Sequence, residues 1–340
     1  MQEIIQEKMI KQNLLTDRFG RMHWYLRVSV TERCNIRCQY CMPEEGVPLF
    51  QKTEILTFEE ISTLVSWFAE SGVRKIRFTG GEPTIRKNLN QLVSMINQIP
   101  GIETIAITTN GILLKEQLPD LVKAGMTQFN ISLDTLSREK FKKISLRDDF
   151  DRVMESIDFA LNFPGIEVKI NSVAMKHVND DELVQMIDYF KSFPIELRFI
   201  EFMPFAGNHW NHDKFISLAE QKSMIEPQFK LNNLGYSDFG TGTSHRYSLE
   251  GFPLVVGFIS SMTDQFCSTC SRIRLTADGM FKSCLFENSE LDLKQPLRNG
   301  ISKDDMMKLI YNKIIQKNES HGGMDSIASL PGRPMVSIGG

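Results

Sequence analysis

Between Trp24 and about Met203 the sequence alternates strand-forming and helix-forming runs six times. The strand candidates are Tyr25–Thr31, Lys75–Thr79, Thr104–Asn110, Gln128–Asp134, Glu167–Ala174 and Glu196–Phe202. Strands separated by helices imply a parallel sheet with right-handed crossovers. The helix signals are sharpest early. Thr57 and Glu60 have the spacing of a capping box, and Ile61, Leu64, Val65 and Phe68 follow at helical period before Ser71-Gly72. The next helix carries Leu89, Leu92, Val93 and Ile96 and stops at Pro100-Gly101.

The strands do not read as fully buried parallel strands, which are usually continuous apolar runs. They alternate. Leu26, Val28 and Val30 oppose Arg27, Ser29 and Thr31; Ile76 and Phe78 oppose Lys75, Arg77 and Thr79; Val168 and Ile170 oppose Lys169 and Asn171. With the apolar faces on the helices, the inner face is polar and partly cationic. A closed eight-stranded barrel has a packed apolar interior. Six strands with a polar interior instead fit an open, incomplete (βα)6 TIM-like barrel around a large polar ligand. The plainer alternative is a set of solvated strand faces. After about residue 205 the period breaks, giving an expected division into 1–205 and 206–340. The later part reads as an α+β extension that closes the barrel mouth. It holds a Gly-rich stretch (Gly235 to Ser244), short strands near Arg246–Leu249 and Leu254–Ile259, and a hairpin of Arg272–Thr276 and Met280–Ser283 around Asp278-Gly279. A helix at about Lys303–Gln316 and a Gly/Pro/Ser-rich tail, expected to be flexible, complete it.

A chain of 340 residues that is 41% hydrophobic can bury a substantial core. Its net charge of −3 gives no global signal for nucleic acid. It has no 18-residue apolar run, and Met1 to Arg21 lacks a secretory h-region, so the expected location is cytoplasmic. Disulfides are rare there, which turns the cysteines toward metal or redox chemistry. All 6 cysteines fall into two triads, Cys34, Cys38 and Cys41, then Cys267, Cys270 and Cys284. A four-iron cluster takes one ligand per iron. Each triad could therefore hold a cluster with one iron left for a non-protein ligand. Zinc is the alternative, but structural zinc usually takes four ligands in paired spacings.

The first triad, Cys34-x3-Cys38-x-Tyr40-Cys41, stands after the first strand, where α/β barrels place their chemistry. It resembles the C-x3-C-x-aromatic-C motif of the radical S-adenosylmethionine superfamily. Gly80-Gly81-Glu82-Pro83 after the second strand resembles that superfamily's GGEP motif. The resemblance implies a [4Fe-4S] cluster on Cys34, Cys38 and Cys41 whose open iron chelates S-adenosyl-L-methionine. It further implies reductive cleavage to a 5′-deoxyadenosyl radical, with S-adenosylmethionine held by Tyr40, Gly81, Ser132 and Met203. On sequence alone Met203 would equally be core packing. Cys267-Ser268-Thr269-Cys270-Ser271-Arg272-Ile273-Arg274-Leu275, followed by Cys284, is similar to the second-cluster motif of the GTP 3′,8-cyclases, the molybdenum cofactor biosynthesis A family. Tyr25-Leu26-Arg27-Val28-Ser29-Val30-Thr31, Thr108-Thr109-Asn110-Gly111 and Ile200-Glu201-Phe202-Met203-Pro204 match the same family. Thr84 departs from it, where an aliphatic residue is expected.

Several convergent cations suit a triphosphate, and arginine binds phosphate oxygens in bidentate fashion. Arg27, Lys75, Arg77, Lys169 and Arg198 come from four different strands, and there is no P-loop sequence. By resemblance Arg27, Arg77, Thr108, Lys169, Arg272 and Arg274 contact GTP; Arg272 and Arg274 could otherwise be an exposed hairpin face. The family implies a lyase without an assigned catalytic side chain. The radical takes the ribose 3′ hydrogen and C3′ attacks guanine C8, giving 3′,8-cyclo-7,8-dihydro-GTP. It also implies a second [4Fe-4S] cluster whose open iron binds the base, although that cluster could be structural or an electron relay. The expected partners are a second copy in a homodimer, a reductant such as flavodoxin or ferredoxin, and cyclic pyranopterin monophosphate synthase as the next enzyme. Gly339-Gly340 could be a frayed tail or an adenylated one; the family reading threads it into the active site, where glycine allows close approach. Competing assignments are another radical enzyme with an auxiliary cluster, such as a peptide maturase, and a zinc-stabilised module or plain electron carrier. A maturase usually has a cysteine-richer C-terminal region. The last two explain neither the GGEP motif nor the cationic strand face.

Overall fold

A computed structural model describes residues 14–43, 45–237, 242–329 and 332–339. Residues 1–13, part of the Gly-rich stretch after Gly235, and Gly340 lie outside the described residues. The six expected strands form as β1 (Tyr25–Ser29), β2 (Lys75–Thr79), β3 (Thr104–Thr109), β4 (Gln128–Ser132), β5 (Glu167–Ala174) and β6 (Glu196–Glu201). Helices α1 (Phe58–Glu70), α2 (Leu89–Asn97), α3 (Leu114–Lys123), α4 (Arg138–Ser145), α5 (Phe150–Leu161) and α6 (Leu183–Phe190) lie between them. The later elements are α7 (Leu218–Ile225), β7 (Leu231–Tyr236), β8 (His245–Leu249), β9 (Val255–Ile259), β10 (Arg272–Leu275), β11 (Met280–Lys282), β12 (Leu291–Asp292), α8 (Lys294–Arg298), α9 (Lys303–Ile315), α10 (Met324–Ala328) and α11 (Met335–Ile338).

All the described strands join one sheet, in the order β12-β11-β10-β1-β2-β3-β4-β5-β6-β9-β8-β7. Strands β1 to β6 pair in parallel in chain order. The extension then adds one parallel strand at each edge, β10 on β1 and β9 on β6. Among the described residues no pairing joins β12 to β7, which leaves the barrel open between these edge strands.

The alternation sorts the two faces. Leu26, Val28, Ile76, Phe78, Ile107, Phe129, Ile131, Ile170 and Leu197 are fully buried beneath the helices. Helix α1 shows why the helices dock there. Thr57 accepts from the Glu60 N–H while the Glu60 carboxylate accepts from the Thr57 N–H. The apolar stripe Ile61, Leu64, Val65 and Phe68 is then completely buried, worth about 1.5–3 kcal/mol per side chain. On the inner face Lys75, Arg77, Lys169, Arg198 and Arg274 are buried as well, although they are charged.

Two expectations need correction. Strand β7 was not foreseen, because Asn232, Asn233 and Leu234 are exposed on a sheet edge and give no apolar alternation. The tail was expected to be flexible, yet its described part is folded. Arg333 is paired with Asp278 and Glu290, and Val336 and Ile338 are buried. Among the described residues no helix is long and apolar enough to cross a membrane. Phe129, fully buried on β4, tests the outer core. Phe129→Ala should destabilise the protein by about 3–5 kcal/mol, lowering the urea midpoint without changing the slope.

Candidate active site

Parallel register stacks the inner-face residues in layers. Arg274, Arg27 and Arg77 stand level on β10, β1 and β2. Arg272, Tyr25 and Lys75 form the layer nearer the strands' N-terminal ends. Farther round, Lys169 is level with Asn130 and Glu196, and Arg198 with Asn171 and Gly257. At Gly257 a Cβ would press on the Ser244 hydroxyl at 2.2 Å and on Glu196 Oε1 at 2.8 Å, so a larger residue would displace these side chains. These layers bound a cavity whose empty space, counted out into the open solvent at its mouths, is about 2050 Å³. Every residue singled out above for a metal, S-adenosylmethionine or GTP lines it, Arg198 and Met203 included.

The two triads occupy opposite mouths. The first follows β1, at the C-terminal end of the parallel strands. Cys270 stands two residues before the start of β10, which runs parallel to β1, and Cys284 follows β11, which runs antiparallel to β10. The second triad therefore stands at the N-terminal end.

The glycines of the GGEP motif let backbone pack on backbone. A Cβ on Gly80 would lie 2.3 Å from the Thr31 carbonyl oxygen, and one on Gly81 2.2 Å from that of Arg33. The N–H groups of Gly81 and Glu82 donate to these same carbonyls, each at 2.8 Å, and so fix the loop that carries the first triad. Glu82 is itself a buried acceptor. It takes hydrogen bonds from Thr84 Oγ1 (2.6 Å), Thr109 Oγ1 (2.7 Å) and the Asn110 N–H (2.7 Å). Thr84, the departure from the family pattern, thus has a hydroxyl where an aliphatic residue would leave Glu82 one donor short. Asn110 Nδ2 donates in turn to Cys34 Sγ at 3.9 Å.

Electrostatics distinguish the triads. Burial, reinforced by Glu82, pushes the Cys34 thiol up to about 12. Burial raises Cys38 and Cys41 as well, with Asp134 and the neighbouring thiols adding to it. At Cys270 burial also raises the thiol, but Arg272 and Lys317 outweigh it and bring it down to about 6. Arg272 Nη2 donates to Cys270 Sγ at 3.6 Å.

The six thiols are free. Among the described residues no three donors converge on one point as ligands of a single ion would. A cluster instead gives each iron its own thiolate, so two separated sets of three thiols fit that chemistry. Between them, Thr79 Oγ1, Asn130 Oδ1, Asn171 Oδ1 and Arg272 Nε are buried without a hydrogen-bond partner. Leaving such groups unpaired costs about 1–3 kcal/mol each, so the lining suits a polar ligand.

Several functional groups had gone unnoticed in the sequence. Tyr25 accepts from Arg77 Nε at 2.5 Å, with Lys75 Nζ 5.2 Å from its ring centroid. It sits two residues before Arg27, on the same inner-facing alternation, so the period of two could have found it. Glu196 accepts from Arg198 at 2.8 Å and from Ser244 at 2.7 Å and lies 3.4 Å from Lys169. Burial raises its carboxyl, but Arg198 and Lys169 outweigh it and hold it at about 2. Asn208 Nδ2 donates to the carbonyls of Tyr40 and Met203, tying two chain-distant lining residues together. No local pattern announces that bond. Gly339 carbonyl oxygen accepts from Arg274 Nη1 at 2.8 Å, so the described end of the tail reaches the cationic layer.

Tyr25 gives a pH test. Burial raises its phenol, but Arg77, Arg27 and Lys75 outweigh it and lower it from 10.0 to about 7. The depressed folded-state value stabilises the ligand-free protein fully above pH 10, and that contribution is lost as pH falls through 7. A phenolate absorbance titrating near pH 7 should be present in the wild type and missing in Tyr25→Phe. A wild-type spectrum with no such band would refute the cation cage.

Residues 28–190 match the Radical SAM superfamily and residues 195–323 match Molybdenum Cofactor Synthesis C. The chain is 41% identical over 327 residues to the GTP 3′,8-cyclase of Syntrophomonas wolfei, covering 96% of this chain and 100% of that one. It is 45% identical to the mitochondrial GTP 3′,8-cyclase of Arabidopsis thaliana, covering 96% of this chain and 84% of the relative. Similarity to molybdenum cofactor biosynthesis protein 1 of Dictyostelium discoideum is 47% over 99% of this chain but 54% of the relative, so the chain spans about half of that longer protein. Among solved structures, Streptococcus suis SuiB shares the fold with a TM-score of 0.64 at 16% identity, over 95% of this chain and 71% of SuiB. The two family matches and the level of identity place this chain in the radical SAM superfamily and, within it, in the GTP 3′,8-cyclase family of molybdenum cofactor biosynthesis.

Proposed function

We propose that this chain is a GTP 3′,8-cyclase acting in the first step of molybdenum cofactor biosynthesis. The observation that carries the reading is the pair of three-cysteine sites at opposite mouths of a cationic barrel. Cys34, Cys38 and Cys41 would hold one [4Fe-4S] cluster and Cys267, Cys270 and Cys284 a second. When bound, the first cluster and S-adenosylmethionine supply the 5′-deoxyadenosyl radical that takes the ribose 3′ hydrogen, after which C3′ bonds to guanine C8.

The chain's own residues do the placing. Tyr40, Gly81, Ser132 and Met203 line the cavity and would hold S-adenosylmethionine. Asn208 fixes the Tyr40 and Met203 backbone by one amide. Arg27, Lys75, Arg77, Thr108, Lys169, Arg198, Arg272 and Arg274 would take the triphosphate, with Glu196 paired to Lys169 and Arg198. Anchoring both ends of the nucleotide matters because a radical reacts with what lies nearest, and orientation supplies much of the catalytic effect. The reading also includes a homodimer, an electron donor of the flavodoxin or ferredoxin kind, cyclic pyranopterin monophosphate synthase as consumer of the product, and a reducing compartment such as the cytoplasm.

Anaerobic turnover of reconstituted protein with dithionite, S-adenosylmethionine and GTP tests it. The expected outcome is 5′-deoxyadenosine together with a cyclised product of the same mass as GTP. Cys284→Ser should abolish the GTP product. Arg274→Ala should lower kcat/KM about 10- to 100-fold, the loss of one charge-assisted hydrogen bond. Formation of 5′-deoxyadenosine with GTP left intact would disprove the substrate and point to another radical reaction.

A further inference from the structure

The segment that precedes β1 is tied to the second triad by a buried network that the proposed reaction does not use. Asp17 accepts from Arg21 Nε at 2.6 Å and from the N–H groups of Phe19 and Arg21. The Arg21 guanidinium then donates to the carbonyls of Cys267, Asn318 and Glu319, each at 2.7 Å. One side chain thus joins this segment to a triad cysteine and to the chain that follows α9.

Beside it His23 is completely buried. Its Nδ1 lies 2.8 Å from the Leu15 carbonyl oxygen. A carbonyl can only accept, so Nδ1 carries the proton and Nε2 is a bare acceptor. Lys317 Nζ lies 2.8 Å from that Nε2 and is therefore its donor. Lys317 is 4% exposed. Its ammonium also reaches Cys270 Sγ at 3.8 Å and the Arg272 carbonyl oxygen at 3.5 Å. Lys317 does not line the cavity, whereas Arg272 does. It approaches the thiolate from the wall, where substrate does not compete for it. The first triad has a different surround. The neutral amide of Asn110 donates to Cys34 Sγ and the Tyr40 side chain hydrogen-bonds Cys38, while the acidic Glu82 outweighs Arg37 at Cys34 and Asp134 faces Cys38.

We propose that Lys317, held in place by His23, is an outer hydrogen-bond donor to the Cys270 thiolate and raises the reduction potential of the second cluster above that of the first. The proposal rests on the reading of Cys267, Cys270 and Cys284 as cluster ligands. Reduction adds negative charge to the cluster. A hydrogen bond and a positive charge at a ligand sulfur stabilise that added charge, while acidic neighbours oppose it. Lys317 is a positioning residue in this scheme, because it touches a ligand and not the reacting atoms.

The test is a redox titration followed by electron paramagnetic resonance on the full chain, anaerobically reconstituted and without GTP. The wild type is compared with Lys317→Met, Lys317→Arg and Lys317→Gln. Cys284→Ser identifies the signal of the second cluster. In Lys317→Met the second midpoint should fall by at least tenfold in the one-electron equilibrium, about 59 mV, with the first midpoint unmoved. Lys317→Arg should restore most of it. An unmoved second midpoint at full iron content overturns the proposal. If Lys317→Met fails to hold its iron, Lys317→Gln carries the test, and an unmoved midpoint there is equally decisive. A wild type that binds only about four irons, enough for one cluster, removes the second-cluster reading and this proposal with it. About eight irons with an unmoved midpoint removes this proposal alone.

Discussion

Mutual repulsion among Arg27, Arg77 and Arg274 is the constraint around which the barrel interior is arranged. These side chains start level on neighbouring strands, about 4.8 Å apart, and like charges directly opposite one another destabilise a sheet. Charges that far apart would make Arg27 repel each of its two neighbours by about 3 kcal/mol if the surroundings screen like a protein surface, and Arg77 and Arg274, two strands apart, repel by about half as much. Burial makes the problem worse: with Arg77 and Arg272 it lowers Arg27 to about 10, although Tyr25 pulls the other way. The fold answers with acceptors from several directions. The Tyr25 phenol and the Ile107 carbonyl take Arg77, and the Gly339 carbonyl takes Arg274. Glu196 does the same for Lys169 and Arg198 across the barrel. The apolar outer face, with Phe78, Phe129 and Phe199 fully buried, supplies the stability that such an interior consumes.

Much of this was legible in the sequence because it follows from short periods. The alternation of two set the boundaries of β2 and β5 to the residue and put the cations inside. The capping box at Thr57 and the stripe to Phe68 marked α1 correctly. The cysteine spacings and the glycine pair pointed to the superfamily for the same reason, since each reflects geometry within a few residues. What escaped depends on contacts between distant parts of the chain. Asn208 bonds back to Tyr40, 168 residues away, and Lys317 to His23, 294 residues away. Strand β7 escaped for a different reason: its exposed edge has no apolar face to betray it.

The extension's contribution was only half visible. Its hairpin could be placed at Arg272–Thr276 and Met280–Ser283, but pairing partners are not encoded locally. That β10 joins β1 in parallel, and β9 joins β6, decides which mouth receives Cys270. Had β10 attached antiparallel to β1, Cys270 would stand at the same end as the first triad.

Because the triads sit beyond opposite ends of the same short strands, strand length becomes a ruler. Five residues of β1 rise about 3.3 Å each, or roughly 16 Å in all. A ligand held at both mouths must match that span, and a shorter one can reach a single end at a time. The ruler is also hard to recalibrate. Inserting one residue into a wall strand would add only about 3.3 Å of length, yet it would turn every later side chain in that strand to the opposite face. Arginines would go into the apolar layer and leucines into the cavity. The reach between the two mouths is therefore locked to the alternation that makes the barrel fold.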